Sequence, residues 1–359
     1  MSLNDEALKY AIAFSMLQGM GPMQKNKLLK YYHTAYSIYQ NTTTGAVHWP
    51  LDAAEQELNF IRKHGIQCFS IMDAQYPHRL AQTPDAPSLL FLKGSNAFNL
   101  PQLISIVGTR QPTYQAAYLI KEVMEGLQFL QLGVISGMAL GVDGMAHETA
   151  LSFQLPTWGV LAHGLDRIYP NQHRKLASKL IANGGLITEC TQNTLTLPYQ
   201  FPKRNRIVAG MSDITIVIES DITGGSMITA KLARGYDREV FAMPGKIKDA
   251  KSKGCLWLIK NNIAQLYQDP IDLLENMNWP LPPKANNTIN AEKSKAQMTS
   301  MLNPIEKKLL KFIQLQGPMH KDAIAFAFGL KHEDLAAYLL NLELVGLIQL
   351  EAGNQYQSC

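Results

Sequence analysis

The fold is decided by residues 104–143, which read ISIVGTRQPTYQAAYLIKEVMEGLQFLQLGVISGMALGVD. An apolar run at 104–107 is a strand candidate, and a helical segment of about 18 residues follows it. We expect Gly133 to end that helix and residues 134–135 to begin the next strand. One face of the helix carries Ala116, Ile120, Val123, Leu127 and Leu130. The order strand, helix, strand predicts two parallel strands joined by a helix.

The same alternation continues to about residue 265. Further apolar runs, separated by helical stretches, lie at residues 158–161, 186–187, 214–218 and 240–243. Apolar strands that alternate with amphipathic helices predict an α/β fold with a mainly parallel sheet covered on both faces.

The two ends of the chain have different patterns. Residues 5–40 predict two helices around the glycines of 19–22, a helix-hairpin-helix element in which we favour a tight turn over a phosphate contact. Residues 280–303 contain three prolines and little periodicity, which predicts a mobile linker. From Pro304 onward the pattern is three helices and a short β-wing around Gly353, typical of a winged helix. We therefore predict a helical domain at 1–65, a sheet domain at 66–279, a linker at 280–303 and a winged helix at 304–359.

Composition excludes several classes of protein. The formal charge is only +4, so any nucleic-acid site must come from local clustering of cations. The cysteines form no CxxC pair, so neither zinc nor a disulfide framework is indicated; they are Cys68, Cys190, Cys255 and Cys359. No signal pattern and no membrane-length apolar run is present, so we expect a cytoplasmic protein without membrane contact.

Glycine-rich loops follow the predicted strands. Arg110 lies in the first loop, Ser136 and Gly137 open the second, and residues 224–226 start a helix. Glycines let backbone amides approach an anion, and a helix N-terminus adds positive potential. Loops after parallel strands meet at one sheet edge, so the set predicts a site for a ligand with several phosphates. For any single loop, a plain tight turn explains the glycines equally well.

A basic cluster with an aromatic residue lies at 201–206, which read FPKRNR. Lys203, Arg204 and Arg206 are candidates to pair with phosphates, and Phe201 is a candidate to stack on an unpaired base. The alternative is a solvated helix start with Phe201 in the core. The lysines between 246 and 253 form a weaker run that is tempered by Asp249.

Known catalytic patterns are missing from the sequence. There is no GxGxxG after the first strand, no GxxxxGK[ST] and no GxSxG. His147, His163 and His173 do not have metal-ligand spacing, and we interpret them as structural or surface residues. Asp143, Asp166 and Glu189 are interpreted as helix caps or partners of cations. We therefore predict no catalytic residue, no metal and no cofactor.

Five motifs in order resemble the DNA-processing protein A family (DprA, or Smf). They are SIVGTR at 105–110, SGMALGVDGMAH at 136–147, HGLDRIYP at 163–170, FPKRNRIVAG at 201–210 and ESDITGGSMITAKLA at 219–233. The resemblance implies an extended Rossmann-like domain that binds single-stranded DNA and forms a homodimer. It also implies that the protein protects incoming DNA and helps to load RecA recombinase in natural transformation, the process of competence.

The resemblance also assigns residues. It implies phosphate contacts for Arg110, for Ser136 and Gly137, for Arg204 and Arg206, and for the turn formed by Gly224, Gly225 and Ser226. Phe201 is the stacking candidate, and Lys203, Lys231 and Lys253 are further candidate contacts. The family usually has asparagine where this chain has Leu256, so an amide contact is not expected there.

Two other functions remain open at this stage. A nucleotide-processing enzyme of the phosphoribohydrolase type also has glycine-rich phosphate loops, but its PGGxGTxxE pattern is absent around residues 224–227. A scaffold that acts through the winged helix is the second alternative. The third helix of that domain carries Glu333, Asp334 and Glu343, so we favour contact with protein over contact with DNA.

Overall fold

A computed structural model describes residues 5–42, 47–282, 302–344, 347–351 and 355–358 of the chain. The chain divides into two compact units, residues 1–281 and 282–359. Nearly all of the linker that is predicted to be mobile lies outside the described residues.

The first unit is built around a nine-stranded sheet with the strand order β1-β2-β6-β5-β4-β3-β7-β8-β9. Its strands are β1 Gln67–Ser70, β2 Leu89–Gly94, β3 Gln102–Val107, β4 Leu132–Gly137, β5 Thr157–Val160, β6 Gly184–Thr188, β7 Ile214–Val217, β8 Glu239–Ala242 and β9 Gln265–Leu266. The seven neighbouring strands β6, β5, β4, β3, β7, β8 and β9 are parallel to one another. Strand β2 pairs antiparallel with both β1 and β6. The predicted mainly parallel sheet is confirmed.

Helices cover both faces of this sheet. The first unit contains α1 Asp5–Met16, α2 Pro22–Tyr32, α3 Ala35–Thr42, α4 Leu51–His64, α5 His78–Ala81, α6 Tyr114–Leu127, α7 Val142–Ser152, α8 Arg174–Asn183, α9 Gln200–Met211, α10 Gly225–Gly235, α11 Lys253–Lys260 and α12 Pro270–Asn276. One buried cluster joins α6, α7 and α12 to the sheet, and another joins α9, α10 and α11 to it. Burial of apolar side chains on both faces explains why the strands have few polar positions.

The predicted βαβ unit is present with a shifted boundary. The helix is shorter than expected, because α6 ends at Leu127, and Gly133 lies inside β4. A β-carbon at Gly133 would lie 2.5 Å from Leu103 Cδ2 and 2.9 Å from Trp158 Cζ3. This glycine therefore serves close packing between strands and does not end the helix.

The N-terminal helices pack on the antiparallel edge of the same unit. Their shared core includes Leu89 and Phe91 of β2. We propose that the helical domain ends near residue 65, because α4 ends at His64 and Gly65 adopts a left-handed conformation with φ 61°.

The second unit has the predicted winged-helix fold. It contains α13 Pro304–Gln316, α14 Lys321–Phe328 and α15 His332–Leu344, with an antiparallel sheet of β10 Met319–His320, β11 Ile348–Glu351 and β12 Gln355–Ser358. The Asn303 side chain accepts hydrogen bonds from the Ile305 and Glu306 amides, and Asn341 Nδ2 donates to Glu306 Oε1 at 2.7 Å. These contacts cap α13 and join it to α15. The turn predicted at Gly353 lies outside the described residues.

Among the described residues, no helix is both long and apolar enough to cross a bilayer. Within the same residues, no group of three or more His, Cys, Asp or Glu side chains has an arrangement suited to a metal ion.

A buried histidine joins α7 to the end of β4. The His147 ring is fully buried, with Nε2 2.8 Å from Gly137 O and Nδ1 2.7 Å from Thr157 Oγ1. Because a carbonyl oxygen only accepts, Nε2 carries the proton in this bond. Burial lowers the pKa of His147 to about 4, so the ring is neutral in the folded protein at neutral pH.

The pKa of His147 predicts a pH dependence of stability. Below pH ~6.5 this histidine becomes protonated in the unfolded chain but stays neutral in the folded one, so its contribution to stability is lost as pH falls towards 4. Replacement of His147 by Gln keeps a donor for Gly137 O and removes the titration. Urea unfolding should then show a smaller fall in the unfolding free energy between pH 7 and pH 4.5 than the wild type shows, by about 2–3 kcal/mol.

The exposed His48 provides a matched control. Its His48→Gln variant should follow the wild-type pH profile. If the unfolding free energy falls equally for wild type and His147→Gln between pH 7 and pH 4.5, the lowered pKa of His147 is contradicted.

Candidate nucleic-acid interface

A cleft of about 550 Å³ opens beyond the carboxyl ends of the parallel strands. It lies between the neighbouring strands β3 and β7. The strands that follow β3 are added on one side of it up to β6, and those from β7 onward are added on the other side. In open α/β sheets this is the usual position of a ligand site. Its lining includes Arg110, Gly137, Asp143, Tyr169, Phe201, Arg204, Asn205, Asp221, Gly224, Gly225 and Ser226. We call this space the main cleft.

A buried cation and a buried carboxylate flank Gly137. Arg204 is only 6% exposed; its guanidinium donates to Val160 O, while its Nε has no hydrogen-bond partner among the described residues. Asp143 Oδ2 accepts from the Ala139 amide at 3.3 Å. Burial raises the pKa of Asp143 and lowers that of Arg204, and each of the two charges partly opposes the shift of the other. Arg204 therefore carries a charge that lines the cleft and is only partly balanced by the described residues.

Only glycine fits between these two side chains. A β-carbon on Gly137 would lie 2.4 Å from Asp143 Oδ2 and 2.5 Å from Arg204 Nη1. Gly137 is thus required by close approach of side chains, which differs from the tight-turn explanation considered for the sequence alone.

Arg110 and Phe201 come from separate motifs and contact each other at the mouth of the cleft. The guanidinium carbon of the exposed Arg110 lies 5.5 Å from the Phe201 ring centroid, a cation–π distance. The Phe201 ring centroid lies 5.9 Å from that of Tyr169. Tyr169 was not among the predicted site residues, although it belongs to the quoted motif at 163–170.

The backbone that carries Arg110 is held by Glu219. The Glu219 carboxylate accepts from the Thr113 amide at 2.9 Å and from the Thr113 hydroxyl, and the Thr109 amide donates to Glu219 O at 2.8 Å. Glu219 is 8% exposed. These contacts connect the loop after β3 to the end of β7, so the Arg110 side chain extends from a fixed loop.

The glycine turn, residues 224–226, also lines the main cleft. Helix α10 begins at Gly225, so its first amides are available at the cleft. Ser226 Oγ donates to Ser220 Oγ at 2.7 Å, and Asn205 Nδ2 on α9 donates to Gly225 O at 3.3 Å. The turn is therefore held on both sides, with a helix N-terminus that favours an anion.

Other predicted site residues lie away from the main cleft. Ser136 is fully buried, and its hydroxyl donates to Ile106 O at 2.6 Å. Arg206 points to the other side of α9, where it donates to Asp85 O and, at 2.5 Å, to Glu189 Oε2. Lys203 lies on that side as well, with Nζ 3.9 Å from Glu189 Oε1.

The two remaining lysines lie outside the lining too. Lys231 Nζ lies 4.7 Å from the Trp257 ring centroid, and Lys253 is the exposed first residue of α11. Leu256, at the position where an asparagine is usual, is half-buried on the same helix. The structure therefore gathers Arg110, Gly137, Phe201, Arg204 and the glycine turn around one cleft, and leaves these lysines outside it.

Comparison with known proteins places both units. Residues 67–278 match the family model of the DNA recombination-mediator protein A, and residues 293–354 match that of the DprA winged helix domain. Protein Smf of Escherichia coli is 35% identical over 280 residues, covering 77% of this chain and 74% of the relative. DNA processing protein DprA of Streptococcus pneumoniae is 37% identical over 207 residues, covering 57% of this chain and 72% of the relative.

Two solved structures are similar to the chain. DNA processing protein A of Streptococcus pneumoniae has a TM-score of 0.62 at 31% identity and covers 77% of this chain and 98% of its own. The protein of the same name from Helicobacter pylori, whose structure was described for its mode of binding single-stranded DNA, has a TM-score of 0.54 at 27% identity and covers 59% of this chain and 95% of its own. From the family model, which matches more than half of the chain, and from the fold, we conclude that the chain belongs to the DNA recombination-mediator protein A (DprA/Smf) family.

Proposed function

We propose that this chain binds single-stranded DNA in the main cleft and acts as a recombination mediator. The observation that carries the proposal is the convergence of Arg110, Arg204, Phe201 and the glycine turn on one space of about 550 Å³. Two guanidinium groups, a helix N-terminus and an aromatic ring are the groups that hold a flexible polyanion with unpaired bases.

The roles of the groups follow from their positions. The Gly225 and Ser226 amides and the buried Arg204 are suited to phosphate oxygens, whereas the Gly224 amide already donates to Asp221 O at 3.0 Å. At the mouth, Arg110 and Phe201 are close enough to hold a phosphate and a base of neighbouring nucleotides. Such contacts read no base edge, so sequence preference should be slight. Duplex DNA should bind less well, because paired bases cannot stack on a side chain.

The wider role of the chain is also a proposal. Family membership supports a role in which the protein, as a cytoplasmic homodimer, protects incoming single strands and helps to load RecA in natural transformation. The first turn of α15 carries Glu333 and Asp334, which supports contact of the winged helix with protein and not with DNA. Failure of the chain to stimulate strand exchange by RecA on protein-coated single strands would refute this part.

We further propose that the chain acts by binding and not by catalysis. Asp143 and Asp221 are the carboxylates that line the main cleft among the described residues. Asp143 faces Arg204, and Asp221 Oδ1 accepts from the Ile222 amide at 2.7 Å. Both are thus held by the protein itself. Release of free base from nucleoside monophosphates by the purified chain would support the phosphoribohydrolase alternative instead.

Replacement of Arg110 by Ala should weaken single-strand binding about tenfold, the effect of one charge-assisted contact of roughly 1.4 kcal/mol. It should also reduce the slope of log K against log salt by about 0.7, the value for one phosphate on a single strand. Fluorescence anisotropy with a labelled oligothymidylate at several salt concentrations measures both effects.

The matched control removes the same charge from the exposed Arg234, at the far end of α10. Arg234→Ala should bind as the wild type does. Unchanged binding by Arg110→Ala, with wild-type binding intact, would remove Arg110 from the site.

Replacement of Gly137 by Ala should also impair binding, although glycine has no side chain to contact DNA. The added methyl group displaces the Arg204 guanidinium or the Asp143 carboxylate, and we expect at least a tenfold loss of affinity. Overpacking should cost about 1–3 kcal/mol of folding stability, so the protein should remain folded. Anisotropy and thermal unfolding together test this.

Gly235→Ala is the control, because a β-carbon at Gly235 meets nothing within 4 Å. Wild-type affinity in a folded Gly137→Ala protein would show that the buried pair does not shape the site.

A further inference from the structure

A second cleft, of about 420 Å³, lies on the other side of the first turn of α9. It is formed by the turn between α1 and α2, the start of β2 and the segment that joins β6 to α9. All of these elements belong to the first unit. The lining residues that matter here are Ser15, Lys25, Glu189, Gln200 and Lys203.

Lys25 is a buried lysine that lines this cleft. Its side chain is 7% exposed, its Nζ donates to Ser15 O at 2.6 Å, and Nζ lies 5.9 Å from the Phe14 ring centroid. An ammonium group has three donors, and this is the one hydrogen bond it makes within the described residues. Burial lowers the pKa of Lys25 to about 8, which leaves most of the group charged at neutral pH. A buried charge with unused donors is costly unless a ligand supplies the acceptors.

The charges around the second cleft favour an anion. Lys203 adds a second ammonium group from α9. Glu189 is the carboxylate of the lining, and its Oε2 already accepts from Arg206 at 2.5 Å. Among the described residues that line this cleft, Lys25 and Lys203 thus outnumber the one carboxylate, which is already paired with Arg206.

The two clefts share the first turn of α9. Phe201 and Arg204 line the main cleft, whereas Gln200 and Lys203 line the second. The Lys203 side chain is 49% exposed, so it is accessible between the two. Lys203 and Lys25 both line the second cleft, on the far side of this turn from the main cleft.

We propose that the second cleft binds a backbone phosphate of the same single strand that fills the main cleft, through Lys25 and Lys203. This inference rests on the proposed function and extends the binding track to the N-terminal helices. The shared chemistry is a phosphate group, and free inorganic phosphate is the other source to be distinguished.

The test is Lys25→Met, which keeps the apolar stem and removes the charge, measured by anisotropy with oligothymidylates of about 5 and about 20 nucleotides. Short strands fill only the main cleft, and long ones reach both, within the range of site sizes known for single-strand binders. The long oligonucleotide should lose about fivefold in affinity and its salt slope should fall by about 0.7, the value for one phosphate. The short one should bind as it does to wild type.

The matched control is Lys27→Gln, which removes a charge from the exposed side of the same helix. It should leave the affinity for both oligonucleotides unchanged. Lys203→Gln should weaken binding of the long oligonucleotide about as much as Lys25→Met does. If circular dichroism shows that Lys25→Met does not fold, Lys203→Gln is the deciding variant.

Each outcome has a clear meaning. If Lys25→Met loses affinity equally for both oligonucleotides, or for neither, the second site is overturned. The proposed function still stands in that case, provided that the wild type binds single-stranded DNA. Wild-type protein that binds neither length refutes both. If inorganic phosphate at constant ionic strength raises the melting temperature of the wild type more than that of Lys25→Met, without any length-dependent effect on DNA, the cleft holds free phosphate and the proposal is wrong.

Discussion

The buried charges of Arg204 and Asp143, on either side of Gly137, determine the form of the site. An arginine that is 6% exposed, with Nε unpaired among the described residues, requires partners that the protein only partly supplies. The neighbouring structure accommodates it through a carbonyl of β5, a glycine in place of any larger residue and the neutral ring of His147 on Gly137 O. The end of β4, the start of α7 and the first turns of α9 are thereby fixed relative to one another.

Much of this arrangement was predictable from the sequence. The sheet, its helical layers and the winged helix follow from periodicity, which reports burial directly. The meeting of Arg110, Gly137 and the glycine turn follows from the rule that loops after parallel strands share one edge. Strands β1, β2 and β9 were missed: β1 and β2 form the antiparallel edge, which precedes the strand–helix alternation in the chain, and β9 has only two residues.

The basic run at 201–206 shows where the sequence was insufficient. Its cations appear as one patch in the sequence, but all of them lie on α9. Adjacent positions on a helix point about 100° apart, so Arg204 faces away from Lys203, whereas Lys203 and Arg206, three positions apart, lie on one side and both approach Glu189. The structure assigns Arg204 to the main cleft, Arg206 to Glu189 and Lys203 to the second cleft. Ser136 likewise faces inward, because it lies within the buried strand β4 and not in a loop.

The hold of Glu219 on the loop after β3 has a further consequence. With the Thr109 and Thr113 backbone already tied to the sheet, a ligand that engages Arg110 restricts only the torsions of one side chain. Ordering a rotamer-rich side chain costs about 0.5–1.5 kcal/mol, far less than ordering a whole loop. For the single-stranded DNA proposed to bind here, the protein side of the site is therefore largely preorganised, and the DNA would lose most of the conformational entropy on association.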